Sequence, residues 1–250
     1  MRGGRSARDA VNSQRRAVVV AGGALVLAAA FQPLRAAAQA KQRIGVIGSG
    51  HIGGTIGGLW VRAGHPVLFS SRHPDDLKDL VSGLGERAQA GTVDQAIAFG
   101  DVLFIAVPYA ALPQIGRDYG AALKGKIMLD ACNAVAPRDG EAIAGEVEQE
   151  GVGVVSQKYL SGVRLVRAFN TLNYKIFASE ANRPAPKLAV PIAGDDADAV
   201  ETAATLVRDA GFDPVVVGKL ADAVRFQRGA AGYGQAVTAT ELKQKLSLAP

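Results

Sequence analysis

Short apolar runs alternate along this chain with longer segments whose apolar residues recur every three or four positions. That is the pattern of buried strands joined by amphipathic helices. Past position 40, Arg43–Ile47 is the first run, and Ile56, Leu59, Trp60 and Ala63 then repeat at helical spacing. Val67–Ser70 is a second run after the turn Gly64-His65-Pro66. Pro74-Asp75-Asp76 opens a helix through Leu77, Leu80 and Val81. Glu86–Thr92 has room for a short third strand, and Thr92 can cap a helix over Val93–Phe99. Asp101–Val107 is the most continuous strand pattern, stopped by Pro108. A helix over Leu112–Ala122 and strands over Ile127–Asp130 and Arg164–Thr171 follow; residues 134–163 are rich in Gly and Glu and have no readable period. Beyond the turn-rich connector Asn182–Pro186, strand, helix and strand fall on Leu188–Ala193, Ala197–Ala210 and Val215–Val217. From Gly229 the glycines suggest a mobile tail, with Leu242, Leu246 and Leu248 free to dock on a partner.

The junction of the first strand and helix reads Gly48-Ser49-Gly50-His51-Ile52-Gly53, a G-x-G-x-x-G in the strand–turn–helix context of a dinucleotide fingerprint. Gly48 allows the tight turn, Gly50 lets backbone approach a diphosphate, and Gly53 lets the helix lie close to the strand. The helix start adds unpaired N–H groups and a positive dipole end. A glycine-rich turn without a ligand is the competing explanation, and the flanking strand and helix weigh against it. The expected fold is therefore α/β, a Rossmann-type, doubly wound and mostly parallel sheet with an appended C-terminal βαβ unit. Its predicted parts are a leader over 1–40, a nucleotide-binding domain over 41–171, a βαβ unit over 172–228 completing the site, and a tail over 229–250.

Composition sharpens this in two places. The formal charge is +5 in 250 residues, but six Arg and one Asp fall in residues 1–40, which leaves 22 basic and 22 acidic residues beyond them. A general nucleic-acid surface gains nothing from that balance. The basic start (Arg2, Arg5, Arg8, Arg15, Arg16), the apolar stretch Ala17–Phe31 and the small-x-small Ala38-Gln39-Ala40 read as an export signal. The apolar stretch is shorter than the roughly 20 residues of a spanning helix, so cleavage and a periplasmic product are expected and no stable membrane anchor is. Arg15-Arg16 is compatible with the twin-arginine route for folded proteins, with an ordinary secretory signal as the alternative. The single cysteine, Cys132, excludes an intrachain disulfide, and one Cys with three scattered His assembles no zinc cluster.

The end of the second strand decides which dinucleotide is expected. An NAD site usually has an acidic residue there for the ribose 2′-hydroxyl. This chain has Ser70-Ser71-Arg72-His73-Pro74. A hydroxyl and a guanidinium suit a 2′-phosphate that a carboxylate would repel, so NADP(H) is predicted, with Ser71 and Arg72 as selectors. Loops leaving the carboxyl ends of parallel strands line the ligand crevice. Val107, Pro108 and Tyr109 leave one such strand, though Pro108-Tyr109 reads equally well as a strand terminator with an aromatic lid on the core. Asn133 lies at the end of another, able to donate to a cofactor carbonyl or to cap a helix, and Cys132 beside it reads as a small buried residue. Phe169 and Asn170 are expected to face the crevice from a third.

Several blocks in order, Gly48–Gly53, Ser70-Ser71-Arg72, Asp101–Pro108, Asp130-Ala131-Cys132-Asn133, Arg167–Thr171, Gly194-Asp195-Asp196 and Gly211-Phe212-Asp213-Pro214, resemble the NADPH-dependent oxidoreductases of the coenzyme F-420 (deazaflavin) reductase type. That fold in turn resembles the amino-terminal domain of pyrroline-5-carboxylate reductase. The likeness spans residues 42–228. It implies hydride passage between NADPH and a small-molecule acceptor, a flavin or deazaflavin such as coenzyme F-420. It also implies phosphate contacts at Ser49, His51 and Ile52, 2′-phosphate contacts at Ser71 and Arg72, and the nicotinamide end at Val107-Pro108 and Ala168-Phe169-Asn170. Cys132 stands where the family often has Thr, and Ala134 where it often has Pro. No residue is singled out as catalytic, because hydride transfer mostly needs two aligned rings. Imine reduction and a non-catalytic NADP sensor are the alternatives. A homodimer is compatible with the sequence.

Overall fold

All four residues of β1 (Ile44–Ile47) are buried, because the strand runs through the interior of a sheet covered on both faces. The computed structural model describes residues 41–249, so the expected export signal lies outside the described residues. After β1 come α1 (His51–Arg62), β2 (Val67–Ser70), α2 (Lys78–Leu84), β3 (Ala88–Gly91), α3 (Val93–Phe99), β4 (Val102–Ile105), α4 (Leu112–Leu123) and β5 (Ile127–Asp130). The sheet has eight strands in the order β3-β2-β1-β4-β5-β6-β7-β8, with β6 at Arg164–Arg167. The first six are parallel and reverse direction of build between β1 and β4, the place where an open α/β sheet leaves a crevice at its carboxyl ends.

Successive side chains of a strand point to opposite faces. Val102 and Phe104 of β4 accordingly join one core with Ile56, Leu59 and Trp60 of α1, while Leu103 and Ile105 join the other with Leu112 and Leu123 of α4. The first core centres on aromatic rings packed edge to face: Trp60 meets Phe104 at 5.1 Å and Phe169 at 5.8 Å, and Phe169 meets Phe177 at 5.6 Å. Burying each phenyl ring contributes about 1.5–3 kcal/mol. The indole N–H of Trp60 donates to the Leu206 carbonyl at 2.7 Å, so the largest buried ring leaves no polar atom stranded.

Residues 134–163 fold as three helices, α5 (Ala136–Asp139), α6 (Glu141–Glu150) and α7 (Val152–Tyr159). Their periods are hidden because each is short and glycine ends the first two: Gly140 and Gly151 sit at φ +90° and +89°. β6 stops at Arg167, four residues short of the expected end, because Phe169 takes φ +59° and turns the chain out of the sheet. α8 (Tyr174–Glu180), capped by Asn173, follows unannounced by the pattern. The predicted last unit is β7 (Ala189–Gly194), α9 (Ala197–Asp209) and β8 (Asp213–Gly218). It extends the same sheet, with β7 antiparallel to β6 through the pairs Val166–Gly194 and Arg167–Ala193. Arg164 forks onto Asp196 at 2.8 and 2.5 Å, and Asp196 also accepts from Ala199 N–H at 2.9 Å, capping α9.

The stretch after Gly229 is ordered structure, not a mobile tail. Gly234 N–H donates to Thr171 and Ala189 N–H to Val237, each at 2.9 Å, and α10 (Ala239–Lys245) is closed by a Thr238/Glu241 capping box. Leu242 and Leu246 bury themselves in this chain's own second core. Among the described residues, no helix is long and apolar enough to cross a membrane.

Candidate active site

Two cavities open above the carboxyl ends of the strands and share one wall, Ala106-Val107-Pro108 on the loop after β4. One, of about 710 Å³, is floored by the glycine turn between β1 and α1. The other, of about 450 Å³, lies over β5 and β6 beside Asn133 and Asn170. Both fall in the size range of small-molecule sites.

The glycine-loop cavity is built by backbone. Gly48 sits at φ +91°, and a Cβ on it would lie 2.5 Å from Val107 Cγ1. A Cβ on Gly53 would lie 2.0 Å from the Gly48 carbonyl oxygen, so that glycine lets α1 lie against the turn rather than lining the cavity. Gly50 is the reverse: nothing stands within 4 Å of where its Cβ would be, and the residue lines the cavity. Gly50 caps α1 with no side-chain hydrogen bond, and the first turn of α1 carries no acidic residue. The amides there can therefore face an anion. Ser49 Oγ donates to the Ser70 carbonyl at 3.1 Å, and Ser70 Oγ to the Val46 carbonyl at 2.8 Å, which ties the turn to the end of β2. Ser71 and Arg72 line the same cavity. Ser71 Oγ accepts from His73 N–H at 3.1 Å and keeps its own proton to donate. Arg72 is exposed, and the ion pair of its loop joins Lys78 to Asp75, leaving the guanidinium out of it. These features fit a dinucleotide diphosphate and a 2′-phosphate. One carboxylate, Asp118, also lines the cavity, and accepts from Gln114 Nε2 at 2.6 Å.

The asparagine cavity is built by side chains from distant segments. Asn133 Nδ2 donates to the Asn170 carbonyl at 2.7 Å, and Asn170 Nδ2 reaches Phe226 O at 3.3 Å and Asn133 Oδ1 at 3.4 Å. Because a backbone carbonyl can only accept, Phe226 fixes the Asn170 amide so that its Oδ1 is left buried without a partner. Beneath the cavity, Arg167 and Asp130 form an ion pair with both side chains fully buried. Arg167 Nη2 also donates to the Cys132 carbonyl at 2.6 Å, and Asp130 Oδ1 accepts from Cys132 N–H at 2.8 Å. The pair thus fixes the backbone that carries Asn133. Burial, with Asp130 adding to it, pushes the Cys132 thiol well above its ordinary pKa, so this sulfur is a packing group.

His51 and Ile52 line this second cavity, not the first. The His51 ring stacks on Tyr174 at 4.3 Å and 6°, so His51 contributes a flat aromatic wall beyond its backbone. Val107 and Pro108 line both cavities. Tyr109 lines neither. It is buried under α7, donating to Val152 O at 3.0 Å beside Ser156 Oγ at 3.0 Å, and burial raises its phenol pKa. Phe169 reaches the cavity wall, but its ring turns inward to the aromatic core, the consequence of its positive φ. Ala168 is fully buried and lines neither cavity, because it still follows the β6 direction through the core.

Besides Tyr174, two contributors escaped sequence reasoning. Arg138 Nε donates to the Asp139 carboxylate at 3.1–3.2 Å, and its Nη2 donates to Asp139 at 2.8 Å and to the Asn133 carbonyl at 2.6 Å. Burial opposes ionisation of Asp139, but Arg138 and the N–H groups of Ala110 and Val135 outweigh it and hold its pKa below the usual range. Tyr233 arrives from the ordered C-terminal segment. The available signals were faint: a charged pair after Pro137, and a lone aromatic among glycines. No Asp or Glu lines this cavity. Among the described residues, no group of three His, Cys, Asp or Glu could hold a metal ion.

Residues 43–134, which carry β1 to β5 and the glycine turn, match the family model described as NADP oxidoreductase, coenzyme F420-dependent. The match covers just over a third of the chain and is a likeness to that family over the first five strands. Metalloreductase STEAP3 of Rattus norvegicus is 27% identical over 184 residues, 72% of this chain and 35% of the relative, so the chain spans about a third of that protein. Among solved structures, a hypothetical protein from Sinorhizobium meliloti shares the fold at TM-score 0.68 and 24% identity, over 79% of this chain and 95% of its own. A proposed F420-dependent NADP reductase from Arthrobacter sp. FB24 does so at TM-score 0.64 and 22% identity, over 73% and 87%. The fold that these structures share is the Rossmann-like sheet that the first strand and glycine turn predicted.

Proposed function

We propose that this protein is an NADP(H)-dependent oxidoreductase that passes a hydride between NADPH and a planar acceptor of the flavin or deazaflavin type. The observation that carries the reading is the pair of cavities meeting at Ala106–Pro108 over the switch point between β1 and β4. In this reading the amides after Gly50 hold the diphosphate, while Ser71 and Arg72 hold the 2′-phosphate. Bound NADPH supplies the hydride at the nicotinamide end. Asn133 and Asn170 orient the ring there, and His51, Tyr174 and Val107 give the acceptor flat surfaces that exclude water. No proton donor is required of the chain for direct transfer between two aligned rings.

The absence of carboxylates around the asparagine cavity weighs against a cationic iminium substrate, which would need a countercharge. The test is NADPH oxidation by the purified protein with a flavin, a 5-deazaflavin, a cyclic imine and a ferric chelate offered separately. Turnover with either of the first two is the expected result. Oxidation with the imine alone, or with the chelate alone, would replace the acceptor assigned here, and tight NADPH binding without oxidation by any of them would mark a sensor. We further propose that residues 1–40 export the folded protein, on the strength of the Arg15-Arg16 pair, the apolar stretch and Ala38-Gln39-Ala40. Fractionation of wild type against an Arg15→Lys/Arg16→Lys variant tests this, the variant being retained in the cytoplasm.

A further inference from the structure

We infer that Arg138 is a specificity residue of the asparagine cavity, selecting acceptors that carry an oxyanion, phosphate or carboxylate, on the substituent of the ring. The inference rests on the flavin-type reading above and adds the chemistry of the acceptor's side chain to it. Asp139 and the Asn133 carbonyl use the Nε and both Nη2 hydrogens of Arg138, and among the described residues nothing accepts from Nη1. The side chain is still about half exposed, at 48%, and lines the cavity. The Asp139 carboxylate that anchors it is wholly buried and also accepts from Ala110 and Val135 N–H, at 3.2 and 2.8 Å. Asp139 therefore acts as a fixed anchor whose charge is screened from the cavity by four N–H bonds. The result is a guanidinium held at one edge and open at the other. Such a group has already lost much of the rotamer freedom that an anion would otherwise have to freeze.

The surroundings agree on the sign. No carboxylate competes for Arg138 from the cavity wall, and no Lys or second Arg lines it. An acceptor with a neutral substituent would leave the Nη1 hydrogens to water, whereas a phosphate or carboxylate would take both in a charge-assisted contact.

Riboflavin, its 5′-phosphate and an N10-carboxyalkyl flavin share one ring and differ in the group offered to Arg138. Quenching of flavin fluorescence by the NADP⁺-loaded protein should show both anionic flavins binding about ten- to a hundredfold tighter than riboflavin, a preference that shrinks with added salt. In Arg138→Gln that ratio should fall toward one, and Arg138→Lys should keep part of it by charge without the fork. Thermal melts establish that each variant is folded. Equal binding of the three flavins by wild type, or an unchanged ratio in Arg138→Gln, overturns the inference. The binding ratio is read without turnover. If the preference holds while no flavin oxidises NADPH, hydride transfer fails as the function and the anion site stands; the opposite pair of results removes Arg138 and leaves the function.

Discussion

The two cavities are neighbours built on different principles. The glycine-loop cavity draws its floor and selector loop from Ile47 to Arg72 and closes with the loop and helix that follow β4, so its parts lie within the first four consecutive strand–helix units. It works through backbone: a positive φ at Gly48, free amides at the start of α1, and empty space beside Gly50. The asparagine cavity gathers residues from His51 to Tyr233 and stands on a buried ion pair that joins β5 to β6. The comparison teaches that a site made of main chain tolerates side-chain change except where a Cβ would intrude. A site made of side chains depends instead on whatever holds their strands in register.

The largest expected effect strikes the second cavity. Arg167→Met leaves Asp130 buried without its countercharge and should cost about 3–5 kcal/mol in chemical denaturation, with Arg167→Met/Asp130→Leu recovering most of it. A single-variant loss under about 1 kcal/mol would show that the pair is not what supports Asn133. In the first cavity, Gly53→Ala should cost about 1–3 kcal/mol, since its Cβ would sit 2.0 Å from a carbonyl oxygen. Gly50→Ala should shift stability by less than about 1 kcal/mol yet weaken NADPH tenfold or more by isothermal titration, as the cap tolerates the methyl group but the phosphate seat does not. Should Gly50→Ala lose stability and keep affinity, the seat is elsewhere.

Arg72→Ala should weaken NADPH about ten- to a hundredfold and NADH by less than about twofold. Equal losses would remove the 2′-phosphate role. The smallest effect is electrostatic. The Arg164 fork, then the Ala199 N–H, hold Asp196 down at about pKa 2, against 3.8 for an ordinary aspartate. A depressed carboxylate contributes its stability in full above about pH 4 and loses it as pH falls through about 2. Asp196→Asn keeps a competent helix cap, so its melting curve should converge on that of wild type at the acid end and lie slightly below it near neutrality.

Legibility followed the same division. The placement of Gly48, Gly50, Gly53, Ser71 and Arg72 around one turn and its neighbouring loop could be read because it depends on residues a few positions away. The strands β1, β2, β4 and β5 could be read because burial on both faces makes them continuously apolar. Arg138 and Tyr233 could not be read, since nothing near them in the chain says they share a cavity with His51. Tyr109 was ambiguous for a related reason: an aromatic after a strand looks the same whether it meets a ligand or, as it does, the carbonyl of Val152. Arg167 looked like one more strand residue, and only its meeting with Asp130 across the β5–β6 pair shows it to be a buried charge.

By itself the sequence determined the alternating strand–helix build, the tight glycine turn and the exposed serine–arginine loop beside it, because strand burial, glycine sterics and helix amides are local properties. Only the tertiary structure decided that β6 ends at Arg167, that the C-terminal segment is folded, and that Asn133, Asn170, Arg138 and Tyr233 converge. Those outcomes depend on which distant groups meet, and on a single residue at φ +59° that no periodicity records.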